Sequence, residues 1–208
     1  MEKLVEGFKK FQAEVFGAKR ELFNRLSQNQ EPRALFITCS DSRIDPTLLT
    51  QAEPGELFIL RNAGNIVPSY GGVLGGSTAT IEYAVAGLGV KHVIVCGHTD
   101  CGVMRALLQP ETIEELPAVK HWMVQAETTR RIVRENYTNL RGDDLLVATI
   151  QENVRAQLDH LKTHPAIAVA LRRGTLTLHG WVYSIPTGDI WVYDEGKGNF
   201  DSLVGSAP

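Results

Sequence analysis

Two short apolar runs constrain this chain more than any other feature. Ala34-Leu-Phe-Ile37 and Val93-Ile-Val95 are continuous rather than helically spaced, and each reads as a buried strand. Each ends in chemistry. The first runs into Cys39-Ser-Asp41-Ser-Arg43, a thiol, a carboxylate and a guanidinium separated by single serines. The second runs through Cys96-Gly-His98 into His98-Thr-Asp-Cys101-Gly102. Two strand ends thus deliver two thiols and one imidazole, with an acid and a base beside them.

That set suits zinc. A structural zinc site normally closes with four protein ligands, whereas a catalytic site keeps three and leaves one position open. Cys39, His98 and Cys101 are three good ligands, and no fourth Cys or His is tied to them by motif. The gap of about sixty residues between the halves excludes the paired spacing of a zinc finger or ribbon. Buried free cysteines are often only small hydrophobes. Cys96, inside the apolar run, is read that way; Cys39 and Cys101, with Asp41, Arg43 and His98 around them, are not.

The chain has 208 residues with 43% hydrophobic content, enough for one well-buried domain and too little for two ordinary ones. A net charge of -3 gives no basic field for nucleic acid or an anionic membrane. No apolar run is long enough to cross a membrane. Three cysteines without a disulfide pattern fit a reducing cytoplasm. The N-terminus lacks a signal peptide's apolar core, and Glu2, Glu6 and Glu14 argue against a transit peptide.

Residues 1–28 read as a helical arm of two helices, with Leu4, Phe8, Phe11 and Val15 along one face and Leu22, Phe23 and Leu26 beyond Gly17. Such an arm packs either on its own domain or across a partner subunit. Asp45-Pro46 has the form of a cap and first helical residue. Leu57-Phe-Ile-Leu60 reads as a strand, followed by a glycine-rich stretch to Gly76 that lacks a phosphate-loop pattern and is read as tight turns. Ser77 or Thr78 is expected to cap the next helix, and Gly89 to end it. Helices are predicted over 115–137 and 143–162, with a short one from Pro165 to about Arg173. Strands at 176–183 and 190–193, split by Pro186-Thr-Gly-Asp189, predict an antiparallel hairpin. The fold class expected is α/β: a single domain, residues 1–208, with a mostly parallel central sheet, flanking helices, an antiparallel edge and the arm.

Cys39-Ser-Asp-Ser-Arg43, Arg61-Asn62, Glu82-Tyr83 and His98-Thr-Asp-Cys101-Gly102, in this order, resemble the β-class carbonic anhydrases, and the likeness runs on to His179-Gly-Trp-Val-Tyr183. The resemblance implies one Zn2+ per chain on Cys39, His98 and Cys101, with Asp41 and Arg43 as the adjoining dyad and Asp41 as an added zinc ligand in a closed form only. It implies homodimers or larger homo-oligomers, with the site at the dimer interface and the arm wrapped on the neighbour. Within the family the chain is closer to the plant-like subgroup, whose substrate pocket is lined at the positions of Gln30, Phe58 and Tyr83. The other bacterial subgroup has a tryptophan three residues before the first cysteine, part of a non-catalytic bicarbonate site; Phe36 stands there instead. Ala63 replaces a larger aliphatic residue. Carboxysomal relatives carry a long C-terminal tail, and this sequence ends at Pro208, so that address is not expected.

The activity implied is reversible hydration of carbon dioxide to bicarbonate and a proton. A zinc with two thiolates and one imidazole carries less charge than a three-imidazole zinc, so the surroundings must help it acidify water. Asp41 is expected to orient zinc-bound hydroxide, with Arg43 holding Asp41 by a forked pair. Gly102 is expected to open a helix and offer its amide to a bicarbonate oxygen. Phe58 would supply an apolar wall, Gln30 a polar contact and Tyr83 a further part of the pocket lining. Asp100 is expected to cap the helix at Cys101. His92, His121, His160 and His164 are placed on surfaces or helix ends, His179 in a structural role, and Arg130-Arg131 on a solvated helix face. Competing functions are a zinc hydrolase of carbon disulfide or carbonyl sulfide, and a non-catalytic zinc protein serving assembly. A redox role is weaker, for want of a C-x-x-C arrangement.

Overall fold

The computed structural model describes residues 1–72 and 75–203. Val73 and Leu74, within the glycine-rich stretch, and residues 204–208 lie outside the described residues. The chain divides into two units, Met1–Glu31 and Pro32 onward.

In the first unit, helix α1 (Glu2–Lys10) passes into a π-helical turn, Phe11–Phe16, and α2 follows over Arg20–Leu26. Phe16 stacks on Phe23 with ring centroids 5.1 Å apart, and Phe11 meets both rings edge-on. Glu2 lies in the first turn of α1 and Lys9 and Lys10 in its last, the order that the helix dipole favours.

The second unit is built on a six-stranded sheet. Its strands are β1 (Ala34–Cys39), β2 (Leu57–Asn62), β3 (His92–His98), β4 (Thr177–Tyr183), β5 (Ile190–Asp194) and β6 (Asn199–Ser202). The order is β2-β1-β3-β4-β5-β6; β2, β1, β3 and β4 run parallel, and β5 and β6 return antiparallel. Every residue of β1 is buried, as befits an inner strand covered on both faces. The expected α/β fold with a mostly parallel sheet and an antiparallel edge is therefore what the chain forms.

Parallel neighbours need crossovers, and helices supply them. These are α3 (Pro46–Thr50), α4 (Gly76–Glu82), α5 (Gly102–Leu108), α6 (Pro117–Met123), α7 (Glu127–Asn136), α8 (Gly142–Lys162) and α9 (Pro165–Arg172). Asp45 caps α3 as expected, accepting from the N–H groups of Thr47 and Leu48. The helix α4, by contrast, starts at Gly76 with Gly75 as its cap residue, so Ser77 and Thr78 lie inside it and do not cap it. The helix predicted over 115–137 is two, broken by a 3-10 turn at Val124–Ala126. Long α8 crosses the sheet closely. A Cβ at Gly180 of β4 would stand 2.9 Å from Val154 Cγ1, so that glycine sets the approach of helix to strand. His164 is buried rather than superficial, at the start of α9, where its Nε2 donates to Pro68 O at 2.9 Å. His92 and His179 sit ring to ring, Nδ1 and Nε2 3.2 Å apart.

Candidate metal centre and active site

Adjacent strands β1 and β3 end at the same level of the sheet, and this brings the two motifs together. Thr38 pairs with Cys96 in the register, so Cys39 stands level with Gly97, one residue before His98. Beyond His98 the chain turns at Asp100, which holds a φ of 57°, and re-enters as α5 with Cys101 as its N-cap residue. The Sγ atoms of Cys39 and Cys101 and a ring nitrogen of His98 all lie within 4.8 Å of one another, and all three residues are buried.

The donor chemistry fits zinc. His98 Nδ1 lies 2.9 Å from Thr99 O, which makes it the protonated nitrogen and leaves Nε2 as a lone pair. That Nε2 is buried with no hydrogen-bond partner. A hydrogen bond from Cys101 is the main force lowering the Cys39 thiol to about 4, against its burial, with His98 and the N–H groups of Gly64 and Asp41 assisting. Cys101 is pushed the other way by its bond with Cys39 and by burial. A soft cation among these three atoms would meet two thiolates and an imidazole. Cys96, the third cysteine, is fully buried in the core and burial raises its thiol, as a structural cysteine should behave.

Asp41 flanks this cluster. Its Oδ2 stands 3.8 Å from His98 Nε2. Arg43 grips it with a fork, Nε to Oδ1 at 3.0 Å and Nη2 to Oδ2 at 2.8 Å. The guanidinium holds the Asp41 carboxyl well below the usual carboxylate range. Asp100 does not cap α5. Its carboxylate takes Arg43 Nη1 at 3.0 Å and Arg105 Nη2 at 2.6 Å, so Arg43 is itself anchored from the second strand end. Arg61 closes the arrangement from β2: Nε donates to Cys39 O, and Nη2 to the carbonyls of Asp41 and Ile44. Sequence reasoning placed Arg61 in a motif without a role and missed the Asp100–Arg105 pair. An acid just before Cys101 and an arginine one turn into α5 were the available signal.

Gly102 is the first residue of α5, as expected. Phe58 and Tyr83 come together with ring centroids 6.0 Å apart. Gln30 belongs to the first unit and is described only within it.

The comparisons with known proteins agree with this geometry. A family profile described as carbonic anhydrase matches residues 34–190. A carbonic anhydrase of Synechocystis sp. is 49% identical over 195 residues, covering 93% of this chain and 71% of that protein. One from Pseudomonas aeruginosa is 48% identical, covering 98% of this chain and 92% of its own. The solved structure of the beta-carbonic anhydrase CcaA superposes with a TM-score of 0.95 at 48% identity, covering 97% of this chain and 98% of that one. This chain belongs to the carbonic anhydrase family, in its β class, and is an enzyme of that kind.

Proposed function

We propose that the chain catalyses reversible hydration of carbon dioxide to bicarbonate and a proton, with one Zn2+ per chain held by Cys39, His98 and Cys101. The observation that carries this reading is a buried three-ligand cluster with an ionised, guanidinium-held carboxylate 3.8 Å from one ligand nitrogen. Zinc bound there would supply the Lewis acid that makes water nucleophilic near neutral pH. Asp41 accepts a hydrogen bond from the attacking water and so fixes its direction. Arg43 keeps both carboxylate oxygens engaged, which prevents Asp41 from turning to the metal as a fourth ligand. The Gly102 amide at the start of α5 faces a developing bicarbonate oxygen. Phe58 and Tyr83 give carbon dioxide an apolar wall.

The second unit is the catalytic domain, and the arm at 1–28 packs on a partner subunit in a homodimer or larger assembly whose sites lie at the interface. Two solved relatives from Sordaria macrospora are tetrameric β-carbonic anhydrases, which supports an oligomer here. Among the described residues no helix is long and apolar enough to cross a membrane, and the three free thiols support a reducing, cytoplasmic setting. A structural zinc serving assembly alone would have no use for an oriented acid beside it. The test combines metal analysis with stopped-flow hydration of carbon dioxide, run in parallel with carbon disulfide. One zinc per chain and rapid hydration are expected. Zinc-free active protein, or turnover of carbon disulfide alone, would overturn the reading.

A further inference from the structure

The Cys39 sulfur receives a hydrogen bond from a peptide that other residues hold in place. Gly64 N–H lies 3.4 Å from Cys39 Sγ. The same peptide unit carries the Ala63 carbonyl, and Trp122 Nε1 donates to that oxygen at 2.8 Å. One planar unit is therefore engaged at both ends, by an indole N–H at its oxygen and by the sulfur at its N–H.

The next peptide unit is held from α8. Asn153 Nδ2 donates to Gly64 O at 3.0 Å, and its Oδ1 accepts from Gln157 Nε2 at 2.9 Å. Gln157 Oε1 in turn accepts from Val67 N–H at 2.8 Å. The orientation of both amides is forced: a carbonyl at one end needs a donor, an N–H at the other needs an acceptor, and only one arrangement serves both. Asn153 and Gln157 are both buried, at 1% and 0% exposure, on a helix face otherwise filled by Ile150, Val154 and Leu158. Polar side chains in such a place are costly without partners, and here the partners are the loop beside the thiolate. The loop has no freedom to supply its own geometry. Gly64 holds a φ of +81°, and a Cβ there would meet Val103 Cγ1 at 2.8 Å.

We infer that Trp122 and Asn153 are positioning residues of the metal centre: Trp122 holds and polarises the peptide whose Gly64 N–H meets the Cys39 sulfur, Asn153 fixes the next peptide and so the aim of that N–H, and the bond weakens the sulfur as a donor. This inference rests on the zinc reading above. A thiolate that accepts an N–H bond gives less electron density to a cation, and two aligned peptide hydrogen bonds strengthen one another. The effect answers the problem posed by a two-thiolate site, whose metal is otherwise too electron-rich to acidify water.

The test uses the full chain with cobalt(II) in place of zinc and reads the sulfur-to-cobalt charge-transfer band. Trp122→Phe keeps an aromatic ring and removes the N–H. Asn153→Leu keeps the bulk of the side chain and removes the donor to Gly64. In folded variants both bands are expected to move to longer wavelength, because an unbonded thiolate is easier to oxidise, with cobalt stoichiometry unchanged. Bands superimposable on wild type would overturn the inference. A second measurement needs no variant: with 113Cd bound, the Gly64 amide proton is expected to show a scalar coupling to cadmium through the sulfur, and its absence would also overturn the inference. A wild-type protein that binds cobalt with no thiolate band at all refutes the zinc reading itself, a result distinct from a band that is present and unmoved.

Discussion

Strands β1 and β3 end alike and do different work. Each is followed by an acid and an arginine: Asp41 with Arg43, and Asp100 with Arg105. The Asp41 side chain is 17% exposed and faces the ligand cluster, whereas that of Asp100 is 55% exposed and faces two guanidiniums. The difference begins in the backbone. After Cys39 the chain folds back on Asp41, whose own Oδ1 accepts the N–H of Arg43, so the carboxylate turns inward. After His98 the chain passes through a left-handed turn at Asp100, which throws that carboxylate outward and returns Cys101 to the cluster. One strand end contributes one ligand and the acid; the other contributes two ligands and the anchor for the arginine. Similar residues are given separate tasks by two different turns.

The largest effect expected comes from breaking the ligand set. Cys39→Ser should lose most of the zinc and nearly all hydration activity, since an alkoxide is a poor substitute for thiolate. Cys96→Ser is its counterpart one strand away. It places a hydroxyl in the core at a cost of about 1–3 kcal/mol, yet zinc content should stay complete. Metal analysis of the two variants decides the matter, and equal zinc in both would remove Cys39 from the site.

Next in size is Arg43→Ala. Zinc should remain, because its three ligands are untouched. Asp41, freed of its fork, is expected to coordinate the metal and close the site, lowering hydration by roughly 10–100-fold or more. Raising the pH should rescue little, since no protonation step restores the missing guanidinium. Absorption at the zinc edge would show a fourth protein ligand; a variant with an open coordination position and wild-type turnover would sink the assignment. Asp100→Asn sharpens the same comparison from the other strand end. Its carboxylate holds Arg43 from outside in a largely exposed ion pair, worth up to about 1 kcal/mol. Turnover should fall by roughly two- to fivefold, and a loss as great as that of Arg43→Ala would mean that the two acids are not divided in task.

Much of this was legible in the sequence, for a physical reason. The strands β1 and β3 are continuous apolar runs because both faces are covered, and ligands at strand ends follow directly from where such runs stop. The span of α8 was readable from Leu145, Ala148, Val154 and Leu158, although the buried face also takes in Leu146 and Ile150. What could not be read depends on contacts between distant segments. Strand β6, Asn-Phe-Asp-Ser, is short and polar, and is a strand only because β5 offers it an edge. Asp100 precedes a helix and resembles a cap in sequence; Arg105 is near it in the chain, but Arg43, which also claims it, arrives only in the fold. Trp122 and Asn153 reach the site over 59 and 89 positions of chain, to Ala63 and Gly64, and no local pattern announces that.

The smallest effect expected concerns a second contrast, between two buried histidines. His98 and His164 each donate one N–H to a backbone carbonyl, but only His98 has a lone pair facing thiols. Among the described residues no acid pairs with His164; burial, then the nearby His160, lowers its pKa. His179 is lowered in the same way, by burial and then by His92. Above the unfolded-state value of about 6.5 these rings are neutral in both states and contribute no slope. As the pH falls below that value the unfolded chain takes up protons first, so stability declines with acidification until the folded pKa values are reached. Melting temperature should therefore hold steady above neutrality and fall as the pH drops below 6.5, by on the order of 2–4 °C for each kcal/mol lost in a chain of this size. His164→Asn should flatten part of that decline. Zinc release in acid adds its own slope, but it is common to wild type and variant, so the difference between their two curves isolates the histidine. A difference of zero across this window, or one of opposite sign, would show that His164 does not resist protonation in the folded protein.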